Sequence, residues 1–255
     1  MTDKTKRFWE GAALVSAEMS LSLILFAGLV AIVVFIFRRS LRKYKSIDMG
    51  IFDRLNKWAG PRNNKIMLFF TLLGKHQFLV PANLVLLFYF LFISRHTWFS
   101  IRVAAIALSS LALMVLLKHL FKRKRPLAPL LRAVRGLSFP SGHAIMAVTF
   151  YGLVIYIISH IVRNELLKWS LICLLICLIF LIGFSRVYLR VHYASDVLAG
   201  YIIGFLWLLI SLNVLSRLED YNKLKYTTEL SSQNVWLGVK KLPFYSSFIF
   251  AVHSD

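Results

Sequence analysis

Three short segments, far apart in the chain, carry the residues best suited to chemistry. They are Lys118–Pro126 (KHLFKRKRP), Pro140–His143 (PSGH) and Ser185–Asp196 (SRVYLRVHYASD). Each is a weak signal alone, but each lies beside an apolar run. Together they predict a site that removes a phosphate group with a histidine nucleophile and without a metal ion.

His192 and Asp196 are the most informative pair. They are four residues apart, so at the start of a helix the carboxylate can reach the imidazole. A carboxylate bound to one ring nitrogen fixes the tautomer and makes the other nitrogen a better nucleophile. The alternative is a polar pair that holds a loop against the next helix. Ionisable residues beside a membrane span are usually functional, which offsets the simplicity of this structural alternative. On these residues alone we therefore regard the two interpretations as balanced.

Lys118 and Arg125 are seven residues apart, which is about two helical turns. If one helix continues through both, they share a face until Pro126 ends or kinks it. The simpler interpretation, which these two residues alone favour, is a pair of cations that reach out of the membrane at the end of a span.

The Pro140–His143 segment immediately precedes an apolar run. Ser141 is suited to cap the helix that follows, and the free amides at a helix start form a site for an anion. Gly142 lets a ligand approach the backbone closely. An ordinary helix start explains everything here except His143.

The other histidines serve as an internal comparison. Four of them lack an acid or a cation cluster at comparable spacing: His76, His96, His160 and His253. His119 points away from its neighbour Lys118 on a helix and is interpreted as structural. Only His143 and His192 have the neighbours that acid–base chemistry requires.

The charge distribution argues against a metal site. The formal net charge is +20, and the segment from Lys118 to Pro140 holds seven cations and no acid. Between Arg54 and Arg217 the only carboxylates are Glu165 and Asp196. Magnesium and two-metal sites are built from carboxylate oxygens, so we expect no metal and no other cofactor. Without a recognition helix or finger spacing, the charge does not indicate nucleic-acid binding; next to a membrane it is expected.

Apolar runs of spanning length recur along the chain, which is 58% hydrophobic. A bilayer core of about 30 Å needs roughly 17–25 helical residues, and no unpaired backbone group is tolerated there. We predict six transmembrane helices, at Ser20–Phe37, Phe78–Ser94, Ile101–Leu117, Ala144–Val162, Trp169–Phe184 and Val197–Leu215. The fifth is short and is expected to extend beyond Ser185. The first has no small-residue cleavage pattern, which favours an uncleaved span over a signal peptide.

These spans divide the chain into four regions. A polar tail covers 1–19, and 20–77 holds the first span and a basic interfacial segment. In that segment Ile51, Leu55 and Trp58 recur at helical spacing. Five spans form the predicted phosphatase core at 78–216, and a second tail covers 217–255.

The combined pattern K-x6-R-P, P-S-G-H and S-R-x5-H-x3-D resembles the type-2 phosphatidic acid phosphatase superfamily, which is related to vanadium haloperoxidases. All signature positions are present and in order, over about residues 78–216. The resemblance implies an all-α bundle of six transmembrane helices with the active site at one membrane face. It also implies a lipid phosphatase of the cell envelope.

The resemblance assigns a role to each motif residue. Lys118, Arg125 and Arg186 are expected to clamp the phosphate, and Ser141 and the Gly142 amide to complete the cradle. His192 is expected to attack phosphorus and form a phosphohistidine, oriented by Asp196, while His143 protonates the leaving oxygen. Arg190 departs from the family, because many relatives carry a small residue there. It either reaches a second phosphate or extends toward the membrane surface, and we favour the second.

The expected substrate is a lipid-linked phosphate or diphosphate. An isoprenyl diphosphate such as undecaprenyl diphosphate is the first choice, followed by phosphatidylglycerophosphate or phosphatidate, with lipid A as an alternative. A different class of protein, an inactive relative or a transporter that binds anionic lipid, is the rival. An inactive relative is expected to have lost His143, His192 or Asp196, and all three are present.

Two arguments about membrane orientation conflict. With six spans, the segments 38–77, 122–142 and 185–196 share the catalytic face. The cations in Arg38–Lys45 and Lys122–Arg135 place that face in the cytoplasm by the positive-inside rule. The resemblance implies the opposite, and cations in 122–142 also have a catalytic use. We therefore expect a bacterial inner-membrane protein whose site faces away from the cytoplasm.

Overall fold

The computed structural model describes residues 46–126, 130 and 136–236, with side chains as far as Leu224, and a few helical positions between 20 and 35. Within these residues the regular secondary structure is entirely helical, as predicted. Most of the predicted first span, Ser20–Phe37, lies outside the described residues.

Seven helices follow one another in the described part of the chain. They are α1 (46–56), α2 (Pro61–Leu73), α3 (His76–Phe88, continued by a π-helical turn at Tyr89–Ile93), α4 (Thr97–Phe121), α5 (Gly142–Ile161), α6 (Glu165–Tyr188) and α7 (Ala194–Trp236).

Five of these helices are long and apolar enough to cross a membrane. They are His76–Ile93, Thr97–Phe121, Gly142–Ile161, Glu165–Tyr188 and Ala194–Leu224. They confirm the last five predicted spans. The fifth predicted span extends past Ser185 to Tyr188, as its shortness indicated.

Local sequence accounts for several helix ends. Pro61 occupies the first turn of α2, where its fixed φ and missing N–H cost nothing. Asn164 precedes α6, and its side-chain oxygen accepts the Leu167 N–H at 3.0 Å. α4 ends at Lys122, which has a left-handed φ of 50°.

The chain separates into two compact units. One comprises residues 21–214 and contains every predicted site residue. The other comprises residues 1–20 and 215–255, of which the structure describes Ser20 and the end of α7.

Within the 21–214 unit, the helices pack through small apolar clusters while their outer faces stay apolar. Leu113 and Leu117 of α4 pack with Ile145 of α5 and Ile203 of α7. By contrast, large apolar side chains are exposed on the outer faces, among them Val85, Leu108, Leu116, Leu174, Leu198 and Phe205. A helix that is apolar on all sides fits a lipid environment, so the protein is an integral membrane protein.

Gly200 brings the start of α7 against the start of α5. A Cβ atom at Gly200 would lie 2.8 Å from Ala144 Cβ and 2.9 Å from the Ser141 carbonyl oxygen. Only glycine therefore permits this approach. At the same junction the Ser141 N–H donates to the Asp196 carbonyl oxygen at 3.0 Å. Two of the three motifs meet here.

Candidate active site

Asp196 is the most heavily bonded side chain of the site. It is fully buried at the start of α7, 0% exposed. Its Oδ1 accepts from Arg123 Nη1 at 2.5 Å, and its Oδ2 accepts from Ser138 Oγ and from the Tyr193 N–H at 3.0 Å. These donors keep the carboxylate ionised and fix its orientation.

His192 lies in the short loop between α6 and α7, where its own N–H donates to the Arg186 carbonyl oxygen at 3.2 Å. The side chain is 1% exposed. Its Nδ1 is 3.6 Å from Asp196 Oδ2, just beyond hydrogen-bond distance. The predicted pair is therefore adjacent, but His192 precedes the helix and its contact with the carboxylate is loose.

Burial lowers the pKa of His192 to about 4, although Asp196 acts in the opposite direction. The cations Arg125 and Arg186 lower this pKa further. The imidazole is therefore neutral near pH 7, which is the form required of a nucleophile.

Three cations from separate elements interact electrostatically with the His192–Asp196 pair. Lys118 lies in the last turn of α4, Arg125 in the segment after α4, and Arg186 in the last turn of α6. Arg186 is buried and donates from Nη1 to Thr71 Oγ1 at 2.5 Å. Arg125 donates from Nη1 to the Val191 carbonyl oxygen at 3.1 Å. Lys118 interacts electrostatically with both arginines, and Arg125 with Arg186, so the three share one site.

The premise of the Lys118–Arg125 prediction is wrong, although the two residues do meet. α4 ends at Phe121, four residues before Arg125, so the pair does not lie on one continuing helix. The left-handed Lys122 turns the chain back toward the site. Ser138 then fastens this turn, because its N–H donates to the Arg123 carbonyl oxygen at 2.7 Å.

The start of α5 contributes Ser141, Gly142 and His143. Ser141 precedes the helix, as predicted, but its side chain makes no capping hydrogen bond. A Cβ atom at Gly142 would lie 2.5 Å from Met114 Sδ and 3.7 Å from Lys118 Nζ. Gly142 therefore brings the helix start close to the Lys118 ammonium, and the first-turn amides lie beside a cation.

Five buried polar atoms of the predicted site residues have no hydrogen-bond partner in the described part of the chain. They are Arg125 Nε, Ser141 Oγ, His143 Nε2, Arg186 Nε and His192 Nδ1. Buried polar groups are nearly always paired, and leaving one unpaired costs about 1–3 kcal/mol. His192 Nδ1 faces Asp196 Oδ2, but the other four atoms indicate a site completed by a ligand. An anion suits the two Arg Nε–H groups and the adjacent cations.

Arg190 makes a contact that the sequence did not predict. Its φ is +54°, a left-handed conformation that favours glycine. Its Nη2 donates to the Phe52 carbonyl oxygen at 3.3 Å, and its guanidinium lies 5.7 Å from the Phe52 ring centre. The side chain fastens the loop to α1.

Sequence reasoning missed Thr71, Ser138, Arg123 and Asp48. Thr71 anchors Arg186, and Ser138 and Arg123 both donate to Asp196. Arg123 is one of the seven cations between Lys118 and Pro140, but nothing in the sequence distinguishes it from its neighbours. Asp48 is 2% exposed. In the sequence, its only signal is that it is an acid within a basic segment.

Among the described residues there is no group of three or more His, Cys, Asp or Glu side chains that could hold a metal ion. The cations of the site occupy the place that a metal would take in a metal-dependent phosphatase.

The fold and the candidate site define a polytopic, helical membrane protein with a buried His–Asp pair beside a cluster of three cations. Comparison with known proteins agrees. A profile of the PAP2 superfamily matches residues 98–220. Phosphatidylglycerophosphatase B of Bacillus subtilis (strain 168) is 33% identical over 148 residues, which cover 57% of this chain and 72% of that protein.

Two crystal structures are similar. One is of the first transmembrane PAP2-type phosphatidylglycerolphosphate phosphatase from Bacillus subtilis, with a TM-score of 0.62 and 26% identity over 76% of this chain and 94% of the other. The second is Aquifex aeolicus LpxE, with a TM-score of 0.50 and 27% identity over 65% and 94%. The chain belongs to the PAP2 superfamily, as its three motifs predict, and is a membrane lipid phosphatase.

Proposed function

We propose that the protein hydrolyses the phosphate monoester of a glycerophospholipid, with phosphatidylglycerophosphate as the preferred substrate and His192 as the nucleophile. The observation that carries the proposal is the set of buried polar atoms without partners beside a neutral, buried histidine. A phosphate dianion satisfies the donors and neutralises part of the positive charge. The relatives phosphatidylglycerophosphatase B and the PAP2-type phosphatase of Bacillus subtilis support this class of lipid.

The residues take complementary roles in the first step. Lys118, Arg125 and Arg186 bind the phosphate oxygens, together with the Ser141 hydroxyl and the Gly142 amide. His192 attacks phosphorus, a nitrogen–phosphorus bond forms, and the bond to the lipid oxygen breaks. Asp196 stabilises the positive charge that develops on the imidazole. Phosphoryl transfer depends mostly on positioning and charge stabilisation, which these fixed cations supply without a metal.

His143 donates a proton to the leaving lipid oxygen. It adjoins both His192 and the cations, and a bound phosphate dianion supplies the negative charge that stabilises its protonated form. In the second step water attacks the phosphohistidine, the nitrogen–phosphorus bond breaks, and inorganic phosphate leaves. His143 accepts the proton of that water, so both histidines return to their starting states.

The choice of a monoester rests partly on Arg190. In the sequence, a further cation available for a second phosphate favours a diphosphate substrate. That cation is directed at the Phe52 carbonyl oxygen. Arg190 therefore gives no support to an isoprenyl diphosphate as the substrate. This lipid, phosphatidate and lipid A are instead compared with phosphatidylglycerophosphate in the experiment below.

The test is phosphate release by the purified full chain in detergent with excess chelator, over those four substrates. Metal-free release that is fastest with phosphatidylglycerophosphate, and absent in His192→Ala, is the expected result. His119→Ala is the matched control, because His119 is exposed and its ring Nδ1 contacts the Val115 carbonyl oxygen at 2.8 Å. A preference for the diphosphate would overturn the substrate, and full activity of His192→Ala would overturn the mechanism.

We also propose that the protein lies in a bacterial inner membrane with its site facing away from the cytoplasm, as the family resemblance implies. The cations after Lys122 are then accounted for by phosphate binding rather than by topology. Six spans place residues 1–19 and 217–255 in the cytoplasm. A reporter that is active only after export, fused after Arg217, is expected to be inactive, and activity there would reverse the orientation.

A further inference from the structure

A set of part-buried contacts lies behind Asp196, on the side away from His192. Arg123 extends its two terminal nitrogens to two carboxylates. Nη1 donates to Asp196 Oδ1 at 2.5 Å, and Nη2 donates to Asp48 Oδ2 at 3.0 Å. The guanidinium also lies 4.1 Å from the centre of the Tyr193 ring. Its plane is thereby fixed from three directions.

Ser195 closes this set. Its hydroxyl donates to Asp48 Oδ2 at 2.7 Å and accepts from Arg123 Nη1 at 2.8 Å. Its N–H donates to Asp48 Oδ1 at 3.1 Å. Asp48 Oδ1 thus accepts one hydrogen bond and Oδ2 accepts two. Through these bonds Asp48 connects α1 to Arg123 and to the first turn of α7.

We propose that Asp48 and Arg123 are positioning residues for the phosphatase reaction, and that together they set how strongly Asp196 supports His192. The inference rests on the proposed role of His192 as nucleophile. Neither residue reaches the phosphate. Each acts through Asp196, whose orientation and free negative charge they determine.

The orientation of the Asp196 carboxylate depends on Arg123. Asp196 Oδ2 faces His192 Nδ1 at 3.6 Å, and the opposite oxygen is held by Arg123. If Arg123 turns away, the carboxylate loses its strongest fixed partner and can rotate. Losing about 1 Å of alignment in a catalytic group can cost roughly a hundredfold in rate.

The charges of Arg123 and Asp48 also influence the protonation of His192. Arg123 offsets the negative charge of Asp196, which would otherwise stabilise a protonated His192. Asp48 offsets Arg123 in turn. Removing Arg123 therefore makes His192 easier to protonate, while removing the Asp48 charge makes it harder. Two neighbouring substitutions are expected to move one titration in opposite directions.

The remaining groups that face His192 stay constant in this comparison. They are Arg186 from α6, Arg125 from the segment after α4, and His143 from the start of α5. Lys118 of α4 interacts electrostatically with both His143 and Asp196. Substrate ionisation is also common to all variants, so differences between them report on the Asp48–Arg123 pair.

The experiment is the pH profile of kcat/KM for the full chain in detergent, with initial rates from brief exposure and activity recovery checked at pH 7. Arg123→Gln is expected to move the acid-side midpoint up by roughly one pH unit, the size expected for a nearby unit charge at an effective dielectric constant near 20. Asp48→Asn is expected to move it down by several tenths of a unit. In the double variant the two shifts partly cancel, and a smaller upward shift is left.

Two further readouts separate positioning from simple structural support. Arg123→Lys keeps the positive charge but loses the planar guanidinium with its two terminal nitrogens. The acid-side midpoint of kcat/KM is therefore expected to stay near that of the wild type, while kcat falls about 10-fold to 100-fold. KM changes little in every variant, because the residues that bind the phosphate are all retained. Asp53→Asn and Lys124→Gln are the matched controls, since both side chains are exposed and carry the same charges.

Equal midpoints in all variants, or shifts of Arg123→Gln and Asp48→Asn in the same direction, would overturn the proposal even if activity falls. Melting temperatures of each variant identify any loss that reflects unfolding. A wild-type chain that releases no phosphate, or a fully active His192→Ala, would instead overturn the proposed function.

Discussion

Arg186→Lys isolates the contribution of one guanidinium to phosphate binding. Arg186 is 5% exposed, and its Nη1 is committed to Thr71 Oγ1 at 2.5 Å. Its buried Nε has no protein partner and is available to the ligand. A planar guanidinium can hold the Thr71 oxygen and the phosphate together, whereas an ammonium on a shorter stem reproduces neither contact in the same geometry.

The magnitude follows from the two hydrogen bonds that the substitution removes. A hydrogen bond to a charged group contributes about 1.5–3 kcal/mol, so the pair contributes about 3–6 kcal/mol. At about 1.4 kcal/mol for each factor of ten, we expect kcat/KM to fall by roughly 10²-fold to 10⁴-fold. Because fixed cations act mainly by positioning the phosphoryl group and stabilising its transition state, most of this decrease is expected in kcat.

The assay is steady-state phosphate release from a phosphatidylglycerophosphate dispersion, with protein amounts matched by size-exclusion profile. Arg190→Lys is the control, because Arg190 lies at the same end of α6 but contacts Phe52. It is expected to stay within about threefold of the wild type, since Arg190 does not bind the phosphate. Thr71→Val tests the anchor itself and is expected to cost about tenfold, because it leaves Nη1 without its partner. Arg186→Lys activity within about threefold of the wild type would refute the assignment of Arg186 to the phosphate.

Three further predictions follow. His192→Ala is expected to lower phosphate release by roughly 10⁴-fold or more with an unchanged melting temperature, as measured beside His119→Ala; appreciable turnover would exclude a His192 nucleophile. Since the pKa of His192 is about 4 and its ordinary value 6.5, kcat/KM, after correction for the second ionisation of the substrate phosphate at about pH 6, is expected to persist to near pH 4. On the same grounds the free energy of unfolding is expected to decrease as pH falls between these values, because the unfolded chain binds the proton first. A midpoint near the ordinary value would contradict the burial of this group. Gly200→Ala places a Cβ against Ala144 and the Ser141 carbonyl oxygen; overpacking of about 1–3 kcal/mol is expected to lower the melting temperature by roughly 2–10 °C, and an unchanged value would mean that α7 yields there.

Much of the fold and the membership of the site could be predicted from the sequence, because the signals were local. An apolar run of spanning length has one stable conformation in lipid, so five helices follow from composition alone. The three motifs lie at the ends of such runs, and helix ends on one side of a membrane must come together. The site residues Lys118, Arg125, His143, Arg186 and Asp196 were identifiable for that reason, and the electrostatic interactions among them place them in one site.

The interactions behind the site could not be predicted, because they join residues far apart in sequence through unremarkable segments. Asp48 and Thr71 lie in α1 and α2, in a region that patterning described only as basic and interfacial. Their importance depends on Arg123 and Arg186 reaching them across the fold. The contact of Arg190 with Phe52 and the end of α4 before Arg125 could not be predicted from local sequence either.

Local sequence patterns are therefore sufficient to establish that this chain spans a membrane, that it belongs to a phosphatase family, and which side chains to propose for its site. How those side chains are held follows from the packing of the helices. Helix formation and lipid exposure depend on neighbours within a few turns, whereas the orientation of a buried charge depends on whichever partner the packed helices bring to it. For Asp196 that partner is Arg123, fixed in turn by Asp48 from the other end of the described chain.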